Sequence, residues 1–206
     1  MSLRVHFKQI RFSDAIAAFY QMLDDNITIT SGNSVPTPAN YEILIDPTPS
    51  PEMLAASPKL RAVVVPWAGI PQKTREIMQD HPNISLHNLH HNSCNTAELG
   101  FALLLSAAKR IIPMDQALRH GDWRPRYQGP QAVLLKGKTA LILGFGEIGR
   151  ALADYCQALG MKTVATRRHP ENEQHEDTRV YPANHLDHLL PTADVLLIAL
   201  PLTSET

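Results

Sequence analysis

Short apolar runs alternate with helix-like segments over residues 1–91. Predicted helices cover the segments between these runs, at 13–23 (capped by Ser13 or Asp14), 51–56 and 71–79. Alternation of this kind predicts a parallel sheet with helices on both of its faces. The strands predicted from the apolar runs are Leu3–Phe7, 27–30, Ile43–Ile45, 61–65 and 84–87.

A long apolar stretch over residues 97–110 predicts a helix that begins at a capping box formed by Asn95 and Glu98. Its apolar positions surround the helix, which is typical of a helix buried between other elements. The segment 121–131, rich in Gly and Pro, then predicts a connecting arm.

A second alternating unit follows. Its predicted helices are 147–159, closed by Gly160, and a short one near 184–190, and its predicted strands are 139–143, 161–166, 179–181 and 194–200. In a doubly wound sheet of order 3-2-1-4-5-6, the last of these is the fourth strand. Its apolar sequence on a sheet edge leads us to expect a fragment, or an edge covered by something else.

Three glycines at G-x-G-x-x-G spacing follow the strand 139–143 and open the next helix. Gly144 would allow a tight turn, Gly146 would let the backbone approach a pyrophosphate, and Gly149 would let the helix pack on its strand. The helix N-terminus supplies free N–H groups and a favourable dipole for phosphates. The strand before and the amphipathic helix after the motif favour a dinucleotide site.

Composition argues against two classes of binding partner, nucleic acids and membranes. Lys and Arg total 19 against 20 Asp and Glu, so no broad basic field favours nucleic acid or an anionic membrane. No segment has the apolar length of a membrane span. Cys94 and Cys156 lack the spacing of a metal site or a disulfide framework, which fits a reduced, cytoplasmic setting.

Several motifs in fixed order resemble the D-isomer-specific 2-hydroxyacid dehydrogenases, which include phosphoglycerate and glyoxylate/hydroxypyruvate dehydrogenases. The resemblance implies an α/β fold with a flavodoxin-like substrate domain over 1–91 and a Rossmann NAD(P)-binding domain over 92–206, incomplete after its fourth strand. The motifs are 95–99 (NTAEL), 121–123 (GDW), 135–139 (LKGKT), 144–149, 160–161, 193–194 and 201–206 (PLTSET).

The resemblance also implies roles for individual residues. The loop Trp67, Ala68 and Gly69 would hold the substrate carboxylate through backbone amides, and Asn92 would face the substrate. The family's catalytic Arg, Glu and His lie beyond the PLTSET segment, so no catalytic residue is assigned and the chain alone is expected to be inactive. The cofactor would be bound by Gly144, Gly146, Glu147, Ile148, Gly149, Leu200 and Pro201.

The residues after the second Rossmann strand depart from the NAD-specific pattern, which has an acidic residue there. Arg167 and Arg168 occupy this place and offer charge-assisted donors to a 2′-phosphate. We therefore expect NADP as the cofactor, with NAD as the alternative. A solvated basic turn that discriminates little is the other interpretation.

Other signals leave alternatives open. His87, His90 and His91 could line a turn or a cleft or bind a metal, and His90 or His91 could replace the missing acid/base. Trp67 could belong to the core or contact the pocket, and Cys94 could be a buried thiol or one whose pKa is lowered by the helix that follows it. The expected partners are a small 2-keto or 2-hydroxy acid and a second copy of the chain, joined through the helix at 97–110 and the arm after it. The alternative function is a truncated, non-catalytic dinucleotide-binding sensor or regulator.

Overall fold

A computed structural model describes residues 2–8, 18, 20–170, 175, 177–201 and 206. Within these residues the chain forms two compact units, Met1–His91 and Asn92–Thr206. Among the described residues, none of the helices is both long enough and apolar enough to cross a membrane.

The first unit is a five-stranded, wholly parallel sheet in the order β2-β1-β3-β4-β5. This is the flavodoxin-like order, so the predicted fold class is confirmed for this unit. The predicted helix at 13–23 lies mostly outside the described residues. The elements are β1 Leu3–Phe7, β2 Ile27–Ser31, β3 Ile43–Ile45, α1 Pro51–Ala56, β4 Ala62–Val65, α2 Gln72–Gln79 and β5 Ser85–Asn88.

Local sequence explains where α1 begins. The Ser50 hydroxyl accepts a hydrogen bond from the Met53 N–H, and Pro51 occupies a first-turn position where its missing donor costs nothing. One face of α1 then enters the core of the unit. The buried apolar residues of that core are Tyr41, Leu44, Met53, Leu54, Val63 and Met78.

The second unit contains a four-stranded parallel sheet in the order β8-β7-β6-β9. In order of appearance these strands are 3-2-1-4, as predicted for the Rossmann pattern. The elements are α3 Ser93–Lys109, α4 Ile111–Arg119, β6 Thr139–Leu143, α5 Glu147–Ala158, β7 Lys162–Arg167, β8 Thr178–Pro182, α6 Leu186–Leu189 and β9 Val195–Ile198, with single 3₁₀ turns at Arg124–Arg126, Ala183–His185 and Leu190–Thr192.

Two predictions about the helix at 97–110 were wrong. The helix α3 begins at Ser93, so Asn95 lies in its first turn and cannot act as the N-cap. It is also not buried all round, because Leu99 and Leu103 are 63% and 59% exposed. One side of α3 packs closely on α5, where a Cβ on Gly100 would lie 3.3 Å from Leu152. The opposite side therefore stays open within the described chain.

A second helix, α4, was not predicted from the sequence. Arg110 ends α3 in the left-handed conformation with φ of 56°, and its N–H bonds to the Ala107 and Ser106 carbonyls. The chain then turns directly into α4, which lies between the predicted helix at 97–110 and the predicted arm at 121–131. The arm after α4 carries an exposed Trp123.

The strand β9 lies at the edge of the described sheet. Its residues Leu196 and Ile198 are 44% and 70% exposed. Between β9 and α3 runs an apolar groove, because one row of strand side chains and one row of helix side chains have no covering element among the described residues.

Candidate functional site

The glycine-rich turn connects β6 to α5. Gly144 has φ of +91°, and a Cβ there would meet the Ala199 carbonyl oxygen at 2.6 Å. A Cβ on Gly149 would meet the Gly144 carbonyl oxygen at 2.1 Å. The packing of the protein itself therefore requires glycine at both positions.

Gly146 is different, since a Cβ there would have no heavy atom within 4 Å. Its backbone has φ of −95°, a conformation that any residue can adopt. The open space lies at the N-terminus of α5, which no side chain caps. The first-turn N–H groups are thus available to an anion, and the arrangement fits the pyrophosphate of a dinucleotide.

Charges near the start of α5 are balanced locally. The Glu147 carboxylate accepts from Arg150 Nη1 at 3.1 Å, and the Arg150 guanidinium lies 5.8 Å from the centre of the Phe145 ring. The neighbouring Ile148 packs against the core of the second unit. Because Arg150 neutralises Glu147, the acidic side chain does not leave a net negative charge beside the phosphate turn.

The segment after β9 also approaches the turn. The Ala199 N–H donates to the Leu143 carbonyl at 2.8 Å, and Leu200 Cδ2 lies 3.1 Å from a Cβ placed on Gly144. Leu200 is 40% exposed and Pro201 is exposed. The structure therefore brings Leu200 next to the glycine-rich turn.

The strand β7 brings the two arginines to the same end of the sheet. Thr166 is paired with Leu143, and its carbonyl accepts from the Gly144 N–H at 3.1 Å. Arg167 follows directly and is half-buried, and Arg168 is exposed. The position beside the turn thus carries guanidinium groups where NAD-specific members of the resembled family carry a carboxylate.

In the first unit, the loop of Trp67, Ala68 and Gly69 follows β4 and is exposed throughout. Trp67 is 44% exposed, so the interpretation of this residue as a core aromatic was wrong. Two contacts from the end of β5 hold the loop: the Leu89 N–H donates to the Trp67 carbonyl at 3.3 Å, and Asn88 Nδ2 donates to the Ala68 carbonyl.

Asn88 was missed in the sequence reasoning. The available signal was its place at the carboxyl end of a parallel strand, where the loops that carry function gather. A short polar side chain at that edge can reach the backbone of the neighbouring loop.

A charged cluster lies at the carboxyl edge of the same sheet, between β1 and β3. Asp46 is fully buried, and its Oδ2 lies 3.2 Å from Lys8 Nζ. The buried His6 ring bonds through Nδ1 to the Thr30 hydroxyl at 2.9 Å. Desolvation lowers the pKa of His6, and the Asp46 charge partly opposes this effect. Nothing in the sequence pattern had singled out this cluster.

The remaining candidates are Asn92 and the histidines. Asn92, at the N-cap of α3, is exposed and its Oδ1 accepts from Asn95 Nδ2 at 3.1 Å. His87 Nε2 lies 3.0 Å from the Ser85 hydroxyl. In the part of the chain that the structure describes, no group of three or more His, Cys, Asp or Glu side chains could hold a metal ion.

The two thiols differ in exposure. Cys94 is exposed, so its interpretation as a buried thiol was wrong. Cys156 is buried, and burial raises the pKa of its thiol to about 11.

Comparison with known proteins gives a consistent result. A glyoxylate reductase of Thermococcus litoralis is 39% identical over 118 residues, which cover 54% of this chain and 35% of the relative. A D-3-phosphoglycerate dehydrogenase of Archaeoglobus fulgidus is 35% identical over 116 residues, which cover 56% of this chain and 21% of the relative. The chain thus spans about a third or less of the length of these relatives.

Comparison with solved structures shows a similar fold over the whole chain. An NADPH-dependent glyoxylate/hydroxypyruvate reductase of Sinorhizobium meliloti, solved with NADP and sulfate, superposes with a TM-score of 0.80 at 18% identity. The superposition covers 100% of this chain and 64% of that one.

The family match covers the second half of the chain. Residues 101–206 match the NAD binding domain of D-isomer specific 2-hydroxyacid dehydrogenases, which is more than half of the chain. The chain therefore belongs to the D-isomer specific 2-hydroxyacid dehydrogenase family.

Proposed function

We propose that this chain supplies the cofactor-binding and carboxylate-binding part of an NAD(P)-dependent oxidoreductase that interconverts a small 2-keto acid and its D-2-hydroxy acid. The observation that carries the proposal is the open space at Gly146, beside an uncapped helix N-terminus in a family-matched unit. When bound, the nicotinamide supplies or accepts the hydride. We assign Gly144, Gly146, Glu147, Ile148, Gly149, Leu200 and Pro201 to this site.

The first unit has the role of the substrate domain in this proposal. The exposed backbone of Trp67, Ala68 and Gly69 would offer N–H donors to the substrate carboxylate, and Asn92 of the second unit would also contact the substrate. Backbone amides held by a neighbouring strand suit an anion because they need little ordering on binding. The glyoxylate reductases among the relatives support a small acid as the substrate.

The cofactor in this proposal is NADP. Arg167 and Arg168, at the end of β7, would bind the 2′-phosphate, which a carboxylate at this place would repel. The NADP complex of the Sinorhizobium meliloti reductase supports a phosphate-bearing cofactor in this fold.

Fluorescence titration of the chain with NADPH and NADH tests the cofactor assignment. The double variant R167A/R168A is expected to weaken NADPH binding roughly 10- to 100-fold and to leave NADH binding nearly unchanged. The reason is that hydrogen bonds between charged groups contribute strongly to the binding free energy. The matched control is R179A, which removes an exposed arginine from β8. Tighter binding of NADH than NADPH by the unmodified chain would contradict the assignment to NADP, and binding of neither would contradict the dinucleotide site.

The proposed assembly is a homodimer through α3, α4 and the arm after them. The support is an exposed apolar surface on these elements, larger than isolated surface residues would form. Its residues are Leu99, Leu103, Ile111, Ile112, Leu118, Trp123 and Tyr127.

A further inference from the structure

His175 lies in the connection between β7 and β8, seven positions after Arg168. Its carbonyl accepts from the Thr178 N–H, at the start of β8, over 3.4 Å. The strand β7 ends at Arg167. The connection therefore carries the proposed donors to the 2′-phosphate at one end and His175 close to the other.

The ring of His175 makes two contacts outside its own segment. Its centre lies 5.4 Å from the centre of the Phe145 ring, at an interplanar angle of 78°, which is the edge-to-face arrangement of aromatic pairs. His175 Nε2 lies 3.1 Å from Asp154 Oδ1, and since a carboxylate only accepts, the imidazole is the donor. His175 Nδ1 is shielded from solvent, so the ring is packed against its neighbours and does not lie free on the surface.

Both partners of His175 are held in place by other contacts. Phe145, the residue between the first two glycines of the glycine-rich turn, is 1% exposed and packs in a core cluster with Ile142 and Leu152. Asp154 belongs to α5, whose other face is buried in the same unit. Removal of the His175 ring therefore leaves the glycine-rich turn and α5 in place and frees the connection.

We propose that His175 is a positioning residue for the cofactor, which anchors the connection between β7 and β8 to the glycine-rich turn and so places Arg167 and Arg168 against the 2′-phosphate of NADP. This inference rests on the proposed function, which assigns the two arginines to that phosphate. Side chains that are held in place before binding lose less conformational freedom when the phosphate binds. His175 acts through the connection and not through a contact of its own with the cofactor.

Fluorescence titration of the full chain with NADPH and NADH tests this role. H175A removes both contacts and should weaken NADPH binding about three- to tenfold, the range expected for the loss of one hydrogen bond and one aromatic contact. NADH binding should stay within about twofold, because NADH has no 2′-phosphate and the glycine-rich turn is fixed independently. The control H188A, which removes an exposed histidine from α6, should change neither affinity.

Two further variants separate the two contacts of the ring. H175F keeps an aromatic ring beside Phe145 and loses the bond to Asp154. H175Q keeps an amide donor for Asp154 and loses the ring. Each variant should retain part of the NADPH affinity that H175A loses. A loss as large in both variants as in H175A would assign the effect to the imidazole itself and overturn the anchoring role.

A combined variant tests whether His175 acts through the two arginines. In the R167A/R168A background the donors to the 2′-phosphate are absent, so the addition of H175A should not weaken NADPH binding further. Residues that act independently give additive losses instead. An additive loss would overturn the proposal, and so would an H175A chain that loses NADPH and NADH affinity equally.

The unmodified chain distinguishes failure of this inference from failure of the proposed function. If it binds NADPH more tightly than NADH and H175A keeps the same ratio of affinities, the inference fails and the cofactor assignment stands. If the unmodified chain binds neither dinucleotide, the proposed function fails and the inference fails with it. Urea unfolding of H175A beside the unmodified chain checks that a lower affinity does not come from a loss of folded protein.

Discussion

At the scale of single residues, the glycine-rich turn separates two physical reasons for glycine. At Gly149 the nearest atom to an added Cβ is a backbone oxygen at 2.1 Å, which cannot move without shifting the turn. At Gly146 an added Cβ meets nothing. Glycine is thus needed for the fold at Gly149, whereas at Gly146 the described chain gives no reason for it.

This difference predicts opposite behaviour for two alanine variants. G149A should lower the free energy of unfolding by about 1–3 kcal/mol, because the clash forces a backbone shift. G146A should leave stability within about 0.5 kcal/mol, as an unstrained surface change does. The measurement is urea unfolding of both variants beside the unmodified chain.

The same pair tests the dinucleotide site. The methyl group of G146A fills the space that a pyrophosphate would enter, so NADPH affinity should fall at least about tenfold in a fully folded protein. G146A that binds NADPH normally would show that the phosphates lie elsewhere. In that case the turn would be a purely structural motif.

At the scale of elements, the sequence predicted strands and helices within one or two residues where apolar runs were bounded by polar turns. β1, β3 and α1 match their predicted ranges, and α5 ends one residue before its predicted end. The end of α3 was predicted within one residue, but α4 was missed; Arg110 turns the chain directly from one helix into the other with φ of 56°, although it is not glycine. The guanidinium of Arg110 bonds to the Pro130 carbonyl, a contact 20 residues away that no local pattern reveals.

In the candidate site, too, some features could be predicted from the sequence and others could not. The phosphate turn was predictable because its glycines have a fixed spacing between a strand and a helix, which the sequence shows directly. The contacts that hold the Trp67–Gly69 loop were not, since they depend on strand register between β4 and β5. The buried Asp46 and Lys8 pair likewise joins residues far apart in sequence.

The start of β9 is joined to β6 by one carboxylate. Asp194 accepts from Lys138 Nζ at 2.8 Å and from the Thr139 N–H at 2.9 Å. Hydrogen bonds from Lys138 and then from Thr139 lower the pKa of Asp194 below its usual 3.8. The folded chain therefore binds this proton less readily than the unfolded chain does.

Because the pKa of Asp194 is lower in the folded chain, the sign of its effect on stability at different pH values can be derived. The contribution of Asp194 to stability is present above the unfolded pKa and is lost as the pH falls through the lower folded pKa. D194N should therefore be less stable than the unmodified chain at neutral pH, and the difference should shrink as the pH falls below about 4. Urea unfolding at several pH values measures it. A difference that is constant with pH would show that the charge of Asp194 contributes nothing.

At the scale of the whole molecule, both units are parallel sheets whose candidate residues lie at the carboxyl ends of the strands. This holds for Arg167 and the glycine-rich turn in one unit, and for the Trp67–Gly69 loop and Asn88 in the other. Loops at this edge can vary in sequence without disturbing the sheet below them. The arrangement explains how a common scaffold can bind a dinucleotide in one unit and a small acid in the other, as proposed.

Two apolar surfaces of the second unit are candidates for the interface of a homodimer. The first combines Leu99 of α3 with the exposed residues Ile111, Ile112 and Leu118 of α4. The second is the edge of β9, where Ile198 is 70% exposed. An edge strand can pair with another chain through its backbone, whereas a helix face associates by burying side chains.

Sedimentation at micromolar concentration distinguishes the two surfaces. We expect a dimer for the unmodified chain and a monomer for L99E/I112E, because two charges would have to be buried without partners at the interface. The control L190E, at an exposed leucine outside these surfaces, should remain a dimer. A monomeric unmodified chain would contradict the proposed assembly. Dissociation by I198E alone would assign the interface to β9, since a helix-mediated dimer leaves that edge free.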